Sequence, residues 1–547
     1  MTDFSDVAVQ QWDAVIIGTG IGGATLGLAL ARSGWRVLFC EKGKSQLAQQ
    51  SLRGDYAETF FAHPGRLSPE RSVTLARAGR CGDMIEDRSD AEKRSFVPFI
   101  GSGTGGSSAL YGMAMERFFP MDFRPRRNFP NASGSSLPNA WPISYEELAP
   151  YYTSAEELYG VCGTADPLGG SVPNHLRPPP PLTPPGVALF ELLQRRGLHP
   201  YRLPMACEFV PGCQCCQGYL CPRGCKRDSS SVCLQPALME YGARLLDECE
   251  VVRLEATRSR VTGVICNWQG KQICLHGRFI VLAAGALASP GILLASASTS
   301  WPNGLANESG LVGRNLMRHF VDLYAVFFSD IEGHGDNRRK EVAFNDFYQV
   351  DGEKLGSVQS FGRLPPAPVL AESLQNNLSD SAGGWAATLF NVARPAVNAL
   401  LSRVIEKTWV LASVVEDLPY ADNRVSMVSG PSPHGGPKLA ITYKIRAHDF
   451  ARVKALRTLM RGILKPLRFL LIKQAQNNQV IAHACGTCRF GLDIRDSVLD
   501  RNNRAHGLEN LYVVDSSFFP SSAGTNPGLT IAANALRVAV SIQANGI

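Results

Sequence analysis

At 547 residues the chain is longer than one hydrophobic core ordinarily organises, which points to two domains sharing an interface. Hydrophobic residues make up 45%, charged residues 19%, and 52 glycines and 35 prolines imply many turns, a balance that excludes disordered and fibrous classes. The net charge of +7, spread along this length, excludes a nucleic-acid footprint, and no apolar run reaches the roughly 18 residues that span a bilayer.

The opening MTDFSDVAVQQWDAVIIG lacks a basic segment followed by an apolar core, so a cytoplasmic location is expected, with export beside a partner subunit left open. The elements then begin with a short apolar strand, Trp12–Ile17, running into Gly18-Thr-Gly20-Ile-Gly22-Gly23 and a helix rich in Ala and Leu to Arg32. A second strand, Arg36–Cys40, ends at Glu41. A glycine-rich segment, Gly101–Gly106, leads into Ser107–Tyr111. Residues 161–204 read as a Pro/Gly-rich connection, and 207–225 as a cysteine-rich excursion.

Beyond it, Val251 falls in a stretch assigned to the nucleotide-binding side, and Phe279–Ala284 is another buried strand entering a helix at Gly285. From 319 to 481 the pattern changes to alternating patches, such as Ala343–Val350 and Trp409–Val415, which predicts an antiparallel sheet with helices. The basic, apolar stretch Arg452–Lys473 reads as a helix packed on this domain and stopped at Pro466, with docking on a membrane or partner as the alternative. A last strand, Asn510–Asp515, and a helix, Asn526–Ile542, close the chain. The fold class expected is α/β, with a Rossmann-type domain built from 1–160, 205–318 and 482–547 beside an α+β substrate domain at 319–481.

Gly18-x-Gly20-x-x-Gly23 sits where a dinucleotide fingerprint belongs, after a strand and at the start of a helix, with Glu41 ending the next strand. Gly18 permits the tight turn, Gly20 lets backbone approach a pyrophosphate, and Gly23 lets helix pack on strand. The helix N-terminus offers N–H groups to phosphate, and Glu41 can accept from a ribose hydroxyl.

The C-terminal region carries His483-Ala-Cys-Gly-Thr487, Ser497–Asp500, Asn510–Pro520 with Asp515, and Thr525-Asn526-Pro527-Gly-Leu-Thr530. With Gly105-Gly106-Ser107-Ser108, Trp141–Leu148, Gly285–Leu294 and Val312–His319, this ordered set resembles the glucose–methanol–choline (GMC) flavin oxidoreductase family from Asp13 to Val540. The resemblance implies FAD, an alcohol or sugar carbinol as substrate, and His483 and Asn526 flanking the flavin N5. It places Gly105, Gly106, Ser107, Asp515, Asn526 and Pro527 on the cofactor beside Gly18, Gly20, Gly23, Glu41 and Val251.

The chemistry of the residues agrees with those roles. Carbinol oxidation needs a base for the hydroxyl proton while hydride moves to N5, and a neutral imidazole suits that task. Asn526 can orient an alkoxide without titrating. Asn526 as N-cap and Pro527 as first helical residue predict a helix start there, with Leu529, Ala533, Leu536 and Val540 as its apolar face. Asp515 reads either as a cofactor contact or as a turn cap. Two departures from the family pattern stand at Tyr111, where Asn is common, and at Leu110, where some members carry a flavin-linking His; the second implies non-covalent FAD.

Fifteen cysteines in a chain without a leader make disulfides a poor default. The spacing Cys215-Cys216-x4-Cys221 resembles that of bacterial FAD-dependent sugar dehydrogenase subunits, which implies an iron–sulfur cluster with Cys213 or Cys225 as a further ligand. Buried packing, a disulfide and a structural zinc remain alternatives. Three activities follow: an alcohol dehydrogenase passing electrons to an acceptor other than NAD, such as a protein; an oxidase using dioxygen; or a lyase or decarboxylase on the same scaffold.

Overall fold

The computed structural model describes residues 10–47, 51–61, 69–169, 175–327, 338–362, 364–371, 375, 384–406, 408–431, 435–479, 481 and 483–546. Residues 1–9 of the opening segment and 170–174 of the Pro/Gly-rich connection lie outside them.

Four strands that turn apolar side chains into the core build the centre of a seven-stranded sheet. Arg244–Leu246, Val37–Cys40, Gln11–Ile17 and Lys271–Leu282 lie side by side in parallel, and Leu511–Val513 pairs in parallel with the end of the last. Val37–Cys40 is buried throughout, as expected of a strand covered on both faces. The hairpin Cys249–Ala256 and Val261–Trp268 extends the sheet in antiparallel fashion. Helix Ile21–Arg32 covers one face, and the C-terminal helix Gly528–Asn545 packs on that helix and on Tyr145–Tyr159. Both ends of the chain therefore meet in the Rossmann-type layer.

A second, six-stranded antiparallel sheet runs in the order Phe469–Ile472, Phe320–Phe327, Thr408–Val415, Gly356–Gly362, Val342–Phe344, Tyr201–Arg202. Its central strand Thr408–Val415 is wholly buried. The alternating patch at Ala343–Val350 is two pieces: Val342–Phe344 belongs to this sheet, and Gln349–Val350 forms a separate hairpin with Glu353–Lys354. A turn through Asn345–Tyr348, closed by a Tyr348 N–H bond to the Asn345 carbonyl, ends the alternation. Tyr201–Arg202, from the connection, supplies the sheet's edge. A four-stranded sheet joins Arg424–Pro431 and Pro437–Thr442 to Ile85–Asp87 and Arg94–Phe96, so early and middle parts of the chain interlock.

The basic stretch forms a helix, Ala447–Leu464, that ends before Pro466 and continues as the strand Phe469–Ile472. Arg457 on its inner face makes two bonds, of 2.6 and 3.1 Å, to the buried Asp322. Among the described residues no helix is long and apolar enough to cross a membrane.

Candidate active site

The glycine turn is built by backbone proximity. Gly18 has φ +102°, and a Cβ there would lie 2.4 Å from the Ala283 carbonyl oxygen. One at Gly23 would lie 2.2 Å from the Gly18 carbonyl oxygen. Gly20 is the contrast, since a Cβ would meet nothing within 4 Å, leaving the open side from which a pyrophosphate approaches. Gly20 caps the helix with no side chain on its N-terminus, the arrangement that suits an anion. The second glycine segment meets the first: Gly106, at φ +51°, would place a Cβ 3.1 Å from Gly20 Cα.

Glu41 ties these loops together. Its carboxylate accepts from the Thr19 hydroxyl at 2.7 Å and from the backbone N–H groups of Thr19, Gly43 and Gly103 at 3.0–3.1 Å. Burial pushes its pKa up, and those bonds pull it back. Val251 is buried two residues beyond Cys249, whose N–H bonds to the Glu41 carbonyl. The Ser107 hydroxyl accepts from Gly101 N–H. Asp515 accepts from Gly285 N–H at 3.0 Å, the Ser289 hydroxyl at 2.5 Å and Ser517 N–H at 2.8 Å, so it caps a turn at the rim of the glycine cradle.

His483 lies at the other end of this cradle, half-buried, and its partner is a residue that motif reading left without a role. His483 Nδ1 is 3.0 Å from His319 Nδ1, with the two rings nearly perpendicular. His319 Nε2 lies 2.9 and 3.0 Å from the carbonyl oxygens of Ser522 and Ala523. Carbonyls only accept, so Nε2 carries the His319 proton. Burial lowers the His319 pKa, which leaves the ring neutral and its Nδ1 an acceptor. Its partner nitrogen, His483 Nδ1, must then be the donor, and the free lone pair of His483 is assigned to Nε2. The pKa of His483 is lowered to about 3, first by burial, with the Lys340 charge adding to it.

His319 is held in place against a backbone cost. Its φ of +60° is left-handed, unusual for a residue with a Cβ, and its N–H is fixed 3.0 Å from Asp417 Oδ1. Asp417 also accepts from Arg318 N–H, the Tyr443 hydroxyl and the Ser522 hydroxyl.

The segment leading to Asn526 is strapped just as firmly. Ala523 N–H bonds Glu416, Gly524 N–H bonds the Tyr348 hydroxyl, and the Thr525 hydroxyl bonds Glu116. Under it, Lys354 sits fully buried between Asp122 and Glu416. Asn526 does not cap the last helix: Pro527 is the N-cap, the helix runs Gly528–Asn545, and no side chain caps it. The Asn526 side chain instead faces the six-stranded sheet, where its Oδ1 accepts from Gln359 Nε2 at 2.8 Å, leaving its Nδ2 hydrogens for another acceptor. The buried face of that helix is Leu529, Ala532, Ala533, Ala535, Val538, Ala539 and Ile542; Val540 is 51% exposed, because the helix packs on two neighbours and its inner stripe falls between the positions assigned to it.

A cleft beside Thr525 is lined by Glu116, Asp166, Tyr201 and Asn345. Burial pushes Glu116 up to about 7 despite bonds from Tyr201 and Thr525. Asn345 Oδ1 and Gln359 Oε1 are buried acceptors without a partner. Tyr201 and Gln359 come from strands, and Glu116, Asp166 and Asn345 from irregular segments, none of which carries a motif, so sequence reading could not select them. His319 lay within a segment that carried the family resemblance, which was the one available signal.

Of the cysteines read as cluster ligands, Cys215 contacts Cys213 and Cys216 contacts Cys221. The three thiols that converge are Cys207, Cys213 and Cys225.

The family description "GMC oxidoreductase" matches residues 203–321 and again residues 419–535. The chain carries both the N-terminal and the C-terminal GMC oxidoreductase domain. It is 28% identical to the 6'''-hydroxyparomomycin C oxidase of Streptomyces lividus over 98% of this chain and 92% of that protein. It is also 28% identical to the paromamine 6'-oxidase of Streptomyces fradiae, over 97% of this chain and 91% of that one. The crystal structure of a pyridoxine 4-oxidase from "Mesorbium loti" superposes with a TM-score of 0.62 at 21% identity, covering 97% of this chain and 99% of that one, which shows a shared fold. FAD is thus the group for which the open Gly20 face, the uncapped helix N-terminus and buried Glu41 form a fitting cradle.

Proposed function

We propose that this GMC oxidoreductase oxidises a carbinol (CH–OH) of a polar, amino-bearing substrate to a carbonyl, with His483 as base and Asn526 orienting the oxygen. The observation that carries the assignment of the base is the His319–His483 pair, which leaves the His483 Nε2 lone pair free. With its pKa pushed down by burial the imidazole is neutral at every physiological pH, so Nε2 presents a lone pair to the hydroxyl proton. Asn526 donates through Nδ2 to the substrate oxygen as charge develops there, its own Oδ1 being fixed by Gln359. Bound FAD supplies the two-electron acceptor for the hydrogen leaving carbon, and the electrons then pass to an acceptor other than NAD.

The substrate class rests on the cleft. The unpartnered acceptor of Asn345 in the cleft, and that of Gln359 beside Asn526, call for hydroxyl or ammonium donors, and Glu116 is placed to meet a cation once ionised. The relatives named for paromamine and 6'''-hydroxyparomomycin C support an amino-bearing substrate for this chain too. Leu110 is buried and carries no nucleophile, which supports non-covalent FAD. Anaerobic mixing of the flavin-loaded protein with amino sugars, plain polyols and apolar alcohols tests the reading: amino sugars should bleach the flavin. Bleaching by none of them refutes the redox reading, and fastest bleaching by apolar alcohols refutes the substrate class. Air against an artificial dye in the reoxidation step identifies the acceptor. Acid precipitation should leave FAD in the supernatant, and flavin in the pellet refutes non-covalent binding.

A further inference from the structure

The excursion 207–225 is closed at its neck, where Cys207 bridges Lys226 and Glu208 N–H bonds the Cys225 carbonyl at 2.8 Å. Within it, thiols meet one another as well as the surrounding hydrocarbon. Cys207 and Cys213 Sγ are 3.7 Å apart, Cys213 and Cys225 are 3.4 Å apart, and all three lie within 4.8 Å of one another. Cys221 Sγ is 3.4 Å from Cys225 Sγ. All four are buried and none is in a disulfide. A core has no reason to gather thiols, which are weak donors and repel one another as thiolates.

We propose that Cys207, Cys213 and Cys225, with Cys221 as the fourth thiolate, bind a single zinc ion in a structural site. Four thiolates around one zinc at about 2.3 Å lie about 3.8 Å from one another, close to the separations between Cys207 and Cys213, Cys213 and Cys225, and Cys225 and Cys221; Cys221, which meets only Cys225 of the other three, turns toward the metal as it enters. An iron–sulfur cluster interposes iron and bridging sulfide between its cysteines, and thiols already in van der Waals contact leave no space for them. A zinc ion asks only that each thiol give up its proton as the metal enters.

The surroundings are those of a metal thiolate. Cys215 N–H points at Cys213 Sγ from 3.5 Å, and the backbone amides of Arg223 and Lys226 bond Cys221, so N–H groups support two of the four sulfurs. Cys215 holds φ +49° to make that approach, a strained conformation that the local sulfur contact explains. Lys226 is buried beside the thiols and directs its ammonium to the carbonyls of Ala109 and Tyr219. Its positive charge offsets a site that carries two net negative charges when four thiolates hold one divalent ion. Cys162 is excluded, since its thiol turns to the carbonyls of Met205 and Cys207.

The site braces the cofactor cradle. Lys226 on Ala109, Gly218 N–H on the Leu110 carbonyl at 2.7 Å, and the Tyr111 hydroxyl on the Arg227 carbonyl at 2.6 Å fasten the excursion to the segment that follows Gly106. Metal analysis of the full-length, FAD-loaded protein, produced in zinc-supplemented medium and purified without air, tests the assignment. The result expected is about one zinc per chain, retained through gel filtration with a mild chelator, with neither iron nor acid-labile sulfide. Cys207→Ser and Cys225→Ser should each lose at least nine-tenths of the zinc, whereas Cys216→Ser and Cys162→Ser keep it. Iron with sulfide, zinc stripped by the mild chelator, zinc-free protein with full FAD, or a disulfide among the four in peptide maps would each overturn the proposal, as would equal zinc loss in Cys216→Ser. If the serine variants do not fold, the zinc content and peptide map of the unaltered protein still decide between zinc, an iron–sulfur cluster and a disulfide.

Discussion

Removing the His319 ring while keeping its backbone tests whether the pair sets the tautomer of His483. His319→Gly accepts the +60° φ without strain, and His319→Asn also tolerates it and can place an amide oxygen near the position of the lost Nδ1. In the glycine variant His483 Nδ1–H loses its only assigned acceptor, and a buried donor left unpaired costs about 1–3 kcal/mol. At about 1.4 kcal/mol per tenfold, flavin reduction should slow by roughly 5- to 150-fold, because the proton can move to Nε2 and block the base. The asparagine variant should recover part of the loss. The pH profile gives a readout that mere loosening would not move. In the unaltered protein His483, with its pKa lowered to about 3, is neutral and active across pH 5–9, so its titration adds no acid limb there. Burial is the chief cause of that depression, and the space left by the His319 ring admits water beside His483, so the acid limb should move up toward the usual histidine range in His319→Gly. Stopped-flow anaerobic reduction over this pH range, normalised to bound FAD, is the assay. A glycine variant with the unaltered rate and a flat profile would refute the reasoning.

Asn526→Ala should slow flavin reduction by roughly 10- to 150-fold with FAD retained, since a hydrogen bond to a charged oxygen contributes about 1.5–3 kcal/mol; an unchanged rate in single-turnover kinetics contradicts its role. Glu116, pushed up to about 7, ionises as pH rises through neutrality, so KM for an ammonium-bearing substrate should fall from pH 6 to 8, and Glu116→Gln should abolish that slope while sparing a neutral polyol. Lys354→Ala leaves Asp122 and Glu416 buried without their counter-charge, which should cost about 3–5 kcal/mol of stability in denaturant melts. That deficit should shrink at low pH, where Glu416, its pKa raised by burial, takes a proton and no longer needs the cation.

Local motifs were legible because their physics is local. Gly18 and Gly23 answer to contacts with backbone a few residues away or on the adjoining strand, so spacing alone announces the turn. The strand read at Trp409–Val415 is likewise present, as Thr408–Val415, although Thr408 and Ser413 are buried with its apolar residues and no alternation of burial remains. Where the chain departs from expectation, a distant partner decides. Asn526 has the side chain of an N-cap, yet Gln359, 167 positions earlier, claims its oxygen and the helix begins one residue later. Tyr201–Arg202 sits in a Pro-rich connection and becomes a strand only because Val342–Phe344 offers an edge.

The cysteine excursion and the histidine pair follow the same rule at the site itself. Sequence spacing singles out Cys215-Cys216-x4-Cys221, but spacing along a chain without regular structure fixes no direction for a side chain. The neck bridge between Cys207 and Lys226 brings Cys207, outside that spacing, against Cys213 and Cys225. Likewise His319 and His483 stand 164 positions apart and meet only because Met317 and Cys485 pair as a backbone bridge beside them. That bridge fixes the ring separation through two short, rigid segments, so the tautomer of His483 follows from backbone geometry rather than from any property of its own neighbours in sequence. The carbonyls of Ser522 and Ala523 that dictate the proton on His319 lie three or four residues before Asn526. A single hydrogen-bonded chain thus couples the orientation of His483, the proposed base, to the loop presenting Asn526, the proposed oxygen-orienting amide, and a shift in one is felt by the other.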